Sequence, residues 1–240
     1  MTCSIVITQH CIAQMDPIVT DRPDQTESAA TVPVGYLQGE HGVSVDISTY
    51  IKQYAAPATL LRYGINNTFE MRVALETQVS SLNSYGVLPL AIGIKSRLIS
   101  CEAMELSLIT HLQFADIASQ EYKTLHNALQ TRLTAAHTLT DFWSLGYNFG
   151  LEWDGTNPSP WYVYTCTNGF SLGERLGFFA EVFGSFQPSV NEASADAGFT
   201  YLITNNFQFD IAGGYTFDGG NVFAGLGFAY RVNTRPNNEK

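Results

Sequence analysis

Glu105, Ser107 and His111 bring an acid, a nucleophile and a base within seven positions, the set a hydrolase would need. They share one face of an alternating segment, so a strand would point all three the same way. On a strand, residues i and i+4 stand about 13 Å apart, too far for the hydrogen bond of about 3 Å that activates a serine. A neighbouring strand would have to supply the missing partner, and polar lining is the plainer reading. His41, His126 and His137 have no metal-ligand spacing. Cys3, Cys11, Cys101 and Cys166 form no C-x-x-C and no Cys/His pair, so neither zinc, nor a redox centre, nor any cofactor is indicated.

The charged residues form a second set. Glu40, Asp46, Arg62, Glu70, Arg72, Glu76, Lys95, Arg97, Glu105, Arg132, Glu152, Glu181, Asp196, Asp210 and Arg231 fall on the polar faces of alternating segments. Charges of both signs on one face, interspersed with Gly146, Gly150, Gly198, Gly214, Gly225 and Gly227, suit a hydrated lumen with internal ion pairs. Phe179, Phe183 and Phe223 fall on the same side, where they either meet an apolar solute or fill space near the wall.

Strands must position these faces. From Trp143 to Trp153, Trp, Leu, Tyr, Phe, Leu and Trp alternate with Ser, Gly, Asn, Gly and Glu, a period of 2. The same alternation predicts twelve strands, near 34–48, 58–65, 68–80, 87–99, 104–115, 127–139, 142–153, 161–171, 175–186, 193–203, 207–217 and 222–232. Connections at Asn66-Asn67, 100–103, Thr140-Asp141, 172–174 and 204–206 are short, and those between are mostly longer, the longest near 116–125. Asn66-Asn67-Thr68 matches a glycosylation sequon but reads better as a hairpin turn. Tight turns at one end and longer loops at the other are the asymmetry of outer-membrane barrels.

Both a soluble core and a lipid-facing surface produce alternation, and the tryptophans discriminate. Trp143 and Trp153 lie ten residues apart on one face. That is roughly 33 Å along a strand, or roughly 25 Å once tilted, the height of a membrane barrel's apolar band. Tyr162 and Tyr164 would continue the aromatic girdle at the loop end. The last segment, G-L-G-F-A-Y-R-V at 225–232, is similar to the C-terminal signal read by the outer-membrane assembly machinery, although eight residues follow it.

Composition agrees. Only 14% of the chain is charged while Gly 20, Phe 15 and Tyr 12 are generous, a balance of strands. A net charge of -10 with no basic run excludes a nucleic-acid surface. No stretch approaches the eighteen apolar residues of a membrane helix, so spanning is left to a barrel. Residues 1–14 are expected to be either the remnant of an export signal or a disordered terminus. Residues 15–33 are acidic and proline-rich, and Asp21, Arg22, Asp24 and Glu27 either fold into the periplasmic mouth as a plug or belong to a loose periplasmic leader. The barrel is expected over 34–233, with a tail at 234–240.

T-D-R-P-D-Q-T-E-S at 20–28, L-L-R-Y-G-I-N-N at 60–67, T-L-T-D-F-W-S-L-G-Y-N-F-G at 138–150 and A-D-A-G-F-T-Y-L-I-T-N-N-F-Q-F-D at 195–210 together resemble the MetA-pathway phenol-degradation family of bacterial outer-membrane transporters. The resemblance implies an all-β, up-and-down transmembrane barrel and passage of small solutes, aromatic or hydrophobic by the family's name. The partners then expected are outer-membrane lipids, the assembly machinery and a small-molecule solute. Two other readings stand beside transport: a non-transporting structural or surface barrel, and a lumen-side hydrolase.

Overall fold

The computed structural model describes residues 15–82, 84–217 and 220–235. The predicted signal remnant at 1–14 and most of the tail lie outside these residues. Thirteen strands follow in chain order: β1 (Tyr36–Ile47), β2 (Lys52–Gly64), β3 (Phe69–Ser80), β4 (Tyr85–Val87), β5 (Leu90–Cys101), β6 (Met104–Phe114), β7 (Ala128–Thr140), β8 (Trp143–Trp153), β9 (Trp161–Ser171), β10 (Leu176–Gln187), β11 (Val190–Thr204), β12 (Phe207–Thr216) and β13 (Val222–Asn233).

Every pairing between the named strands is antiparallel, and β13 returns to β1 over the full register from Tyr36↔Asn233 to Ile47↔Val222. That last ladder closes twelve strands into a barrel and removes the free edges an open sheet would expose. The short β4 pairs only with Thr77–Val79 of β3 and lies outside the ring.

The pleat turns this barrel inside out relative to a soluble protein. Leu133, Ile211 and Leu226 on the outer face are 43%, 56% and 57% exposed, whereas Glu40, Glu70 and Lys95 on the inner face are 0% exposed. Water would penalise the first set, and the second would have no reason to be interior unless the interior were polar. No helix among the described residues is long and apolar enough to cross a membrane. Trp143 and Tyr162 face outward at opposite ends of the barrel, and Tyr162 stacks on Phe186 at 5.1 Å between centroids. Trp143 stacks on Phe170 at 6.3 Å and donates from its indole nitrogen to Asn168 Oδ1 at 3.1 Å, the polar handle an interfacial aromatic needs.

The structure differs from the sequence expectation at three places. Strand β2 begins at Lys52 rather than 58, because Pro57 sits in a bulge between Ala55 and Ala58 where no ladder hydrogen bond is needed. Strand β5 begins at Leu90 rather than 87, after Pro89, and residues 85–87 make the separate β4. Strand β11 begins at Val190, so the β10–β11 connection is a two-residue turn at the end that otherwise carries the longer loops. The longest described loop, between β6 and β7, contains two 3-10 turns, Ala115–Ile117 and Gln120–Tyr122. At the tight-turn end Asn66 Oδ1 accepts from the N–H groups of Thr68 and Phe69, both at 2.8 Å, which closes the β2–β3 hairpin.

Candidate functional site

Residues 15–35 thread the lumen. The segment enters at the tight-turn end, where Ile18 N–H donates to Asn205 O at 2.8 Å and Arg231 Nη2 donates to Asp16 O at 2.6 Å. It rises to an apex near Pro23–Gln25, descends past Ser28 and Ala30, and bridges through Val34 to Gly64 before β1 starts. Glycines shape its course. Gly35 turns the chain into β1 with φ +74°, a conformation L side chains rarely adopt. At Gly64 a Cβ would strike the carbonyl oxygens of Val32 and Pro33.

The segment has little secondary structure, so its backbone polar groups need partners from the wall. Glu40 Oε2 accepts from the N–H groups of Asp21 (2.9 Å) and Arg22 (3.1 Å). Glu70 Oε2 accepts from Val32 N–H at 2.7 Å, and Glu181 Oε2 from Gln25 N–H at 2.7 Å. Asn148 makes a two-way bridge with the Glu27 backbone, at 2.7 and 3.0 Å. Inward residues on four different strands thus act as a mould for the leader.

Charge holds its centre. The guanidinium of Arg72 donates to Asp21 Oδ2 at 2.7 Å, to Glu70 Oε1 at 3.0 Å and to Glu27 Oε2 at 2.8 Å. Arg62 reaches Glu70 at 2.8 Å, Glu40 at 2.9 Å and Asp21 at 3.4 Å. Lys95 Nζ lies 3.3 Å from Asp21 and donates to Ser28 O at 2.9 Å. All three cations are essentially unexposed. In a low-dielectric interior such groups are tolerated when every donor is met, and removing one partner costs far more than the pair contributes. Toward the loop end Arg132 pairs with Glu152 at 2.5 Å, and Arg22 with Asp210 at 3.0 Å.

Every charged residue assigned to the lumen from the sequence points inward. Arg62, Glu70, Arg72, Lys95, Arg132, Glu152, Glu181, Asp210 and Arg231 have partners there, and Arg97 donates to Thr31 Oγ1. Asp46, Glu76 and Asp196 line an open cavity, and Glu105 sits on the inner face near the tight-turn rim. Ser107 and His111 are not brought together: Ser107 Oγ donates to Ala29 O at 2.6 Å, and His111 Nε2 accepts from Arg72 Nε at 3.0 Å. The contacts that Gln38, Thr134 and Asn148 make with the leader escaped the sequence reading, since uncharged polar residues on an alternating face carry no distinguishing signal.

Open space remains on both sides of the apex. A cavity of about 390 Å³ toward the loop end is bounded by Arg22 and Gln25 of the leader and by Asp46, Glu76 and Asp196 of the wall, with Phe183 and Phe223 meeting edge to face at 5.9 Å. A smaller one of about 190 Å³ lies between leader residues Asp24 to Ala29 and wall residues Gly146, Thr167 and Phe179. Among the described residues no group of acids, histidines and cysteines is arranged to hold a metal ion.

Solved structures share this architecture. The chain is similar to the COG4313 outer membrane channel from Pseudomonas putida F1, with a TM-score of 0.66, 11% identity and coverage of 84% of this chain and 97% of that one. It is similar to the KdgM porin solved in complex with disordered oligogalacturonate, at a TM-score of 0.61, 11% identity and coverage of 80% and 98%. The CymD monoaromatic hydrocarbon channel matches at a TM-score of 0.50, 11% identity and coverage of 84% and 89%. At these identities the likeness establishes the fold, that of outer-membrane porins and channels. Comparison with curated protein sequences gives no match. The family model described as "Putative MetA-pathway of phenol degradation" matches residues 20–232, leader and barrel together, and the chain belongs to that family.

Proposed function

We propose that this protein is an outer-membrane channel for small solutes, with its longer loops outside the cell and its tight turns and leader on the periplasmic side. The observation that carries the reading is the inversion of the barrel: an apolar outer face matched to lipid and an inner face lined with paired charges, polar side chains and unfilled cavities. Twelve strands lie between the eight that side chains fill and the sixteen that leave an open pore, so a segment of chain both fits the lumen and leaves room beside it.

In this reading the leader is a plug, and passage requires it to shift. Solutes of aromatic or hydrophobic character, which the family description and the name of the CymD neighbour suggest, have Phe179, Phe183 and Phe223 as an inner wall. Outward Leu226, Phe228, Tyr230 and Val232 of β13 are the residues the assembly machinery would read. The lumen is read as non-enzymatic, because the hydroxyl of Ser107 and the ring of His111 are each committed to other partners.

The test is conductance of the purified, heat-modifiable barrel in a planar bilayer, where discrete steps are expected. A folded barrel that stays silent, with and without disruption of the leader, favours a structural barrel instead. The completeness with which the leader covers Glu40, Glu70 and Lys95 is the observation on which that second reading rests.

A further inference from the structure

Among the described residues, Asp196 is a buried lumen carboxylate with neither an ion-pair partner nor a full set of hydrogen bonds. It is 7% exposed, stands in register beside Glu181 on the neighbouring strand, and its Oδ1 has no hydrogen-bond partner. Glu181 is satisfied by the leader at Gln25 and Thr26, so it offers Asp196 a second negative charge rather than relief. An ionised buried carboxylate without a counter-charge is costly, and a cation arriving from the cavity would remove that cost.

The cavity that Asp196 lines is built to the same sign. Asp46 and Glu76 border it, and neither they nor Asp196 lies within ion-pair distance of an arginine or lysine among the described residues. Arg22, the one cation on its border, is paired with Asp210 at 3.0 Å. Between the acids, Phe223 stands in the row of the wall that runs from Asp46 through Gly214 to Asp196, Phe183 meets it edge to face, and Phe183 continues into an adjoining space of about 330 Å³ that also reaches Glu192. Carboxylates set beside aromatic rings on one wall are the two parts of an ammonium site: the acids supply charge-assisted hydrogen bonds, and the rings attract the cation and cover its apolar body.

We propose that the cavity between Asp196, Glu76 and the Phe183–Phe223 pair binds small organic ammonium ions with an apolar or aromatic body, and that the channel accordingly favours cations over anions. The second half rests on the channel reading above; the first does not, and the experiment separates them. Calorimetry on the folded barrel in detergent micelles is run with three solutes of matched shape: phenethylammonium, neutral 2-phenylethanol and 3-phenylpropionate. The ammonium should bind about tenfold or more tightly than the alcohol, the carboxylate should not bind, and Asp196→Asn should remove most of the preference while leaving the alcohol unchanged. Asp116→Asn, at an exposed loop acid outside the cavity, should change nothing.

Equal binding of the three solutes, absence of ammonium binding, or an unchanged ammonium affinity in a folded Asp196→Asn barrel would each overturn the site. If that variant does not fold, the comparison of the three solutes on the unaltered protein decides, and Phe183→Ala should weaken ammonium and alcohol alike. Liposome swelling with the same solutes completes the test. Binding of the ammonium without any solute entry sinks the channel reading and leaves the site standing. Entry of all three at equal rates with no ammonium binding sinks the site and leaves the channel.

Discussion

Arg62 and Arg72 stand directly opposite each other across the β2–β3 ladder, and one leader carboxylate, Asp21, lies 3.4 Å from the first and 2.7 Å from the second. Glu70 of the wall bridges the two arginines, but Arg62, Arg72 and Lys95 are three cations against the two wall carboxylates Glu40 and Glu70, and Asp21 of the leader supplies the third negative charge. Replacing Asp21 by Asn should therefore loosen the leader rather than merely weaken one pair. The expected result is a lower urea midpoint, by about 3–5 kcal/mol of stability, together with a larger or more frequent open conductance in bilayers. A variant with unchanged stability and unchanged conductance would contradict the role given to Asp21.

Lipid contact can be tested by depth. Leu133 faces outward near the middle of β7, while Tyr162 faces outward near the loop-end rim of β9. Leu133→Arg should cost about 2–4 kcal/mol in urea unfolding from lipid vesicles, and Tyr162→Arg about 0–1 kcal/mol from charge placement alone. Equal costs would argue that the outer face does not meet a bilayer.

Gly64→Ala probes the join between leader and wall. The new Cβ has backbone carbonyls, not a flexible side chain, in its way, so either the leader or β2 must give. A loss of about 1–3 kcal/mol is expected, with faster proteolysis of residues 15–33 as the accompanying sign. Intact protection of that segment would show that the passage is wider than drawn.

Ser107→Ala separates the hydrolytic reading from the structural one. Removing the hydroxyl leaves Ala29 O without its donor, a cost of about 1–3 kcal/mol. Esterase or lipase activity of the purified barrel should be absent before and after the change. Activity lost with Ser107 would reinstate a catalytic lumen.

The barrel was legible in the sequence because its physics is periodic: from Trp143 to Trp153 each residue declares its face by its type, and lipid outside against water inside makes the contrast strong. What failed to show was local and backbone-dependent. The bulge at Pro57 looked like a strand end, and the Pro188-Ser189 turn looked like part of a loop, because a proline states only where a ladder bond is missing. The leader's course was legible in composition but not in path. Whether it formed a plug or a loose segment stayed open in the sequence, because the cations that hold its acids are brought together only by the β2–β3–β5 registers that set Arg62, Arg72 and Lys95 around one point. The unmet oxygen of Asp196 had no sequence signal at all, since the residue looks like every other inward acid until its neighbours are known.

The seam between β1 and β13 has a further meaning in time. Residues 15–18 are held by Asn205 and by Arg231 of β13, and the other arm of the leader runs straight into β1. The part of the described chain made first is therefore secured by the strand made last.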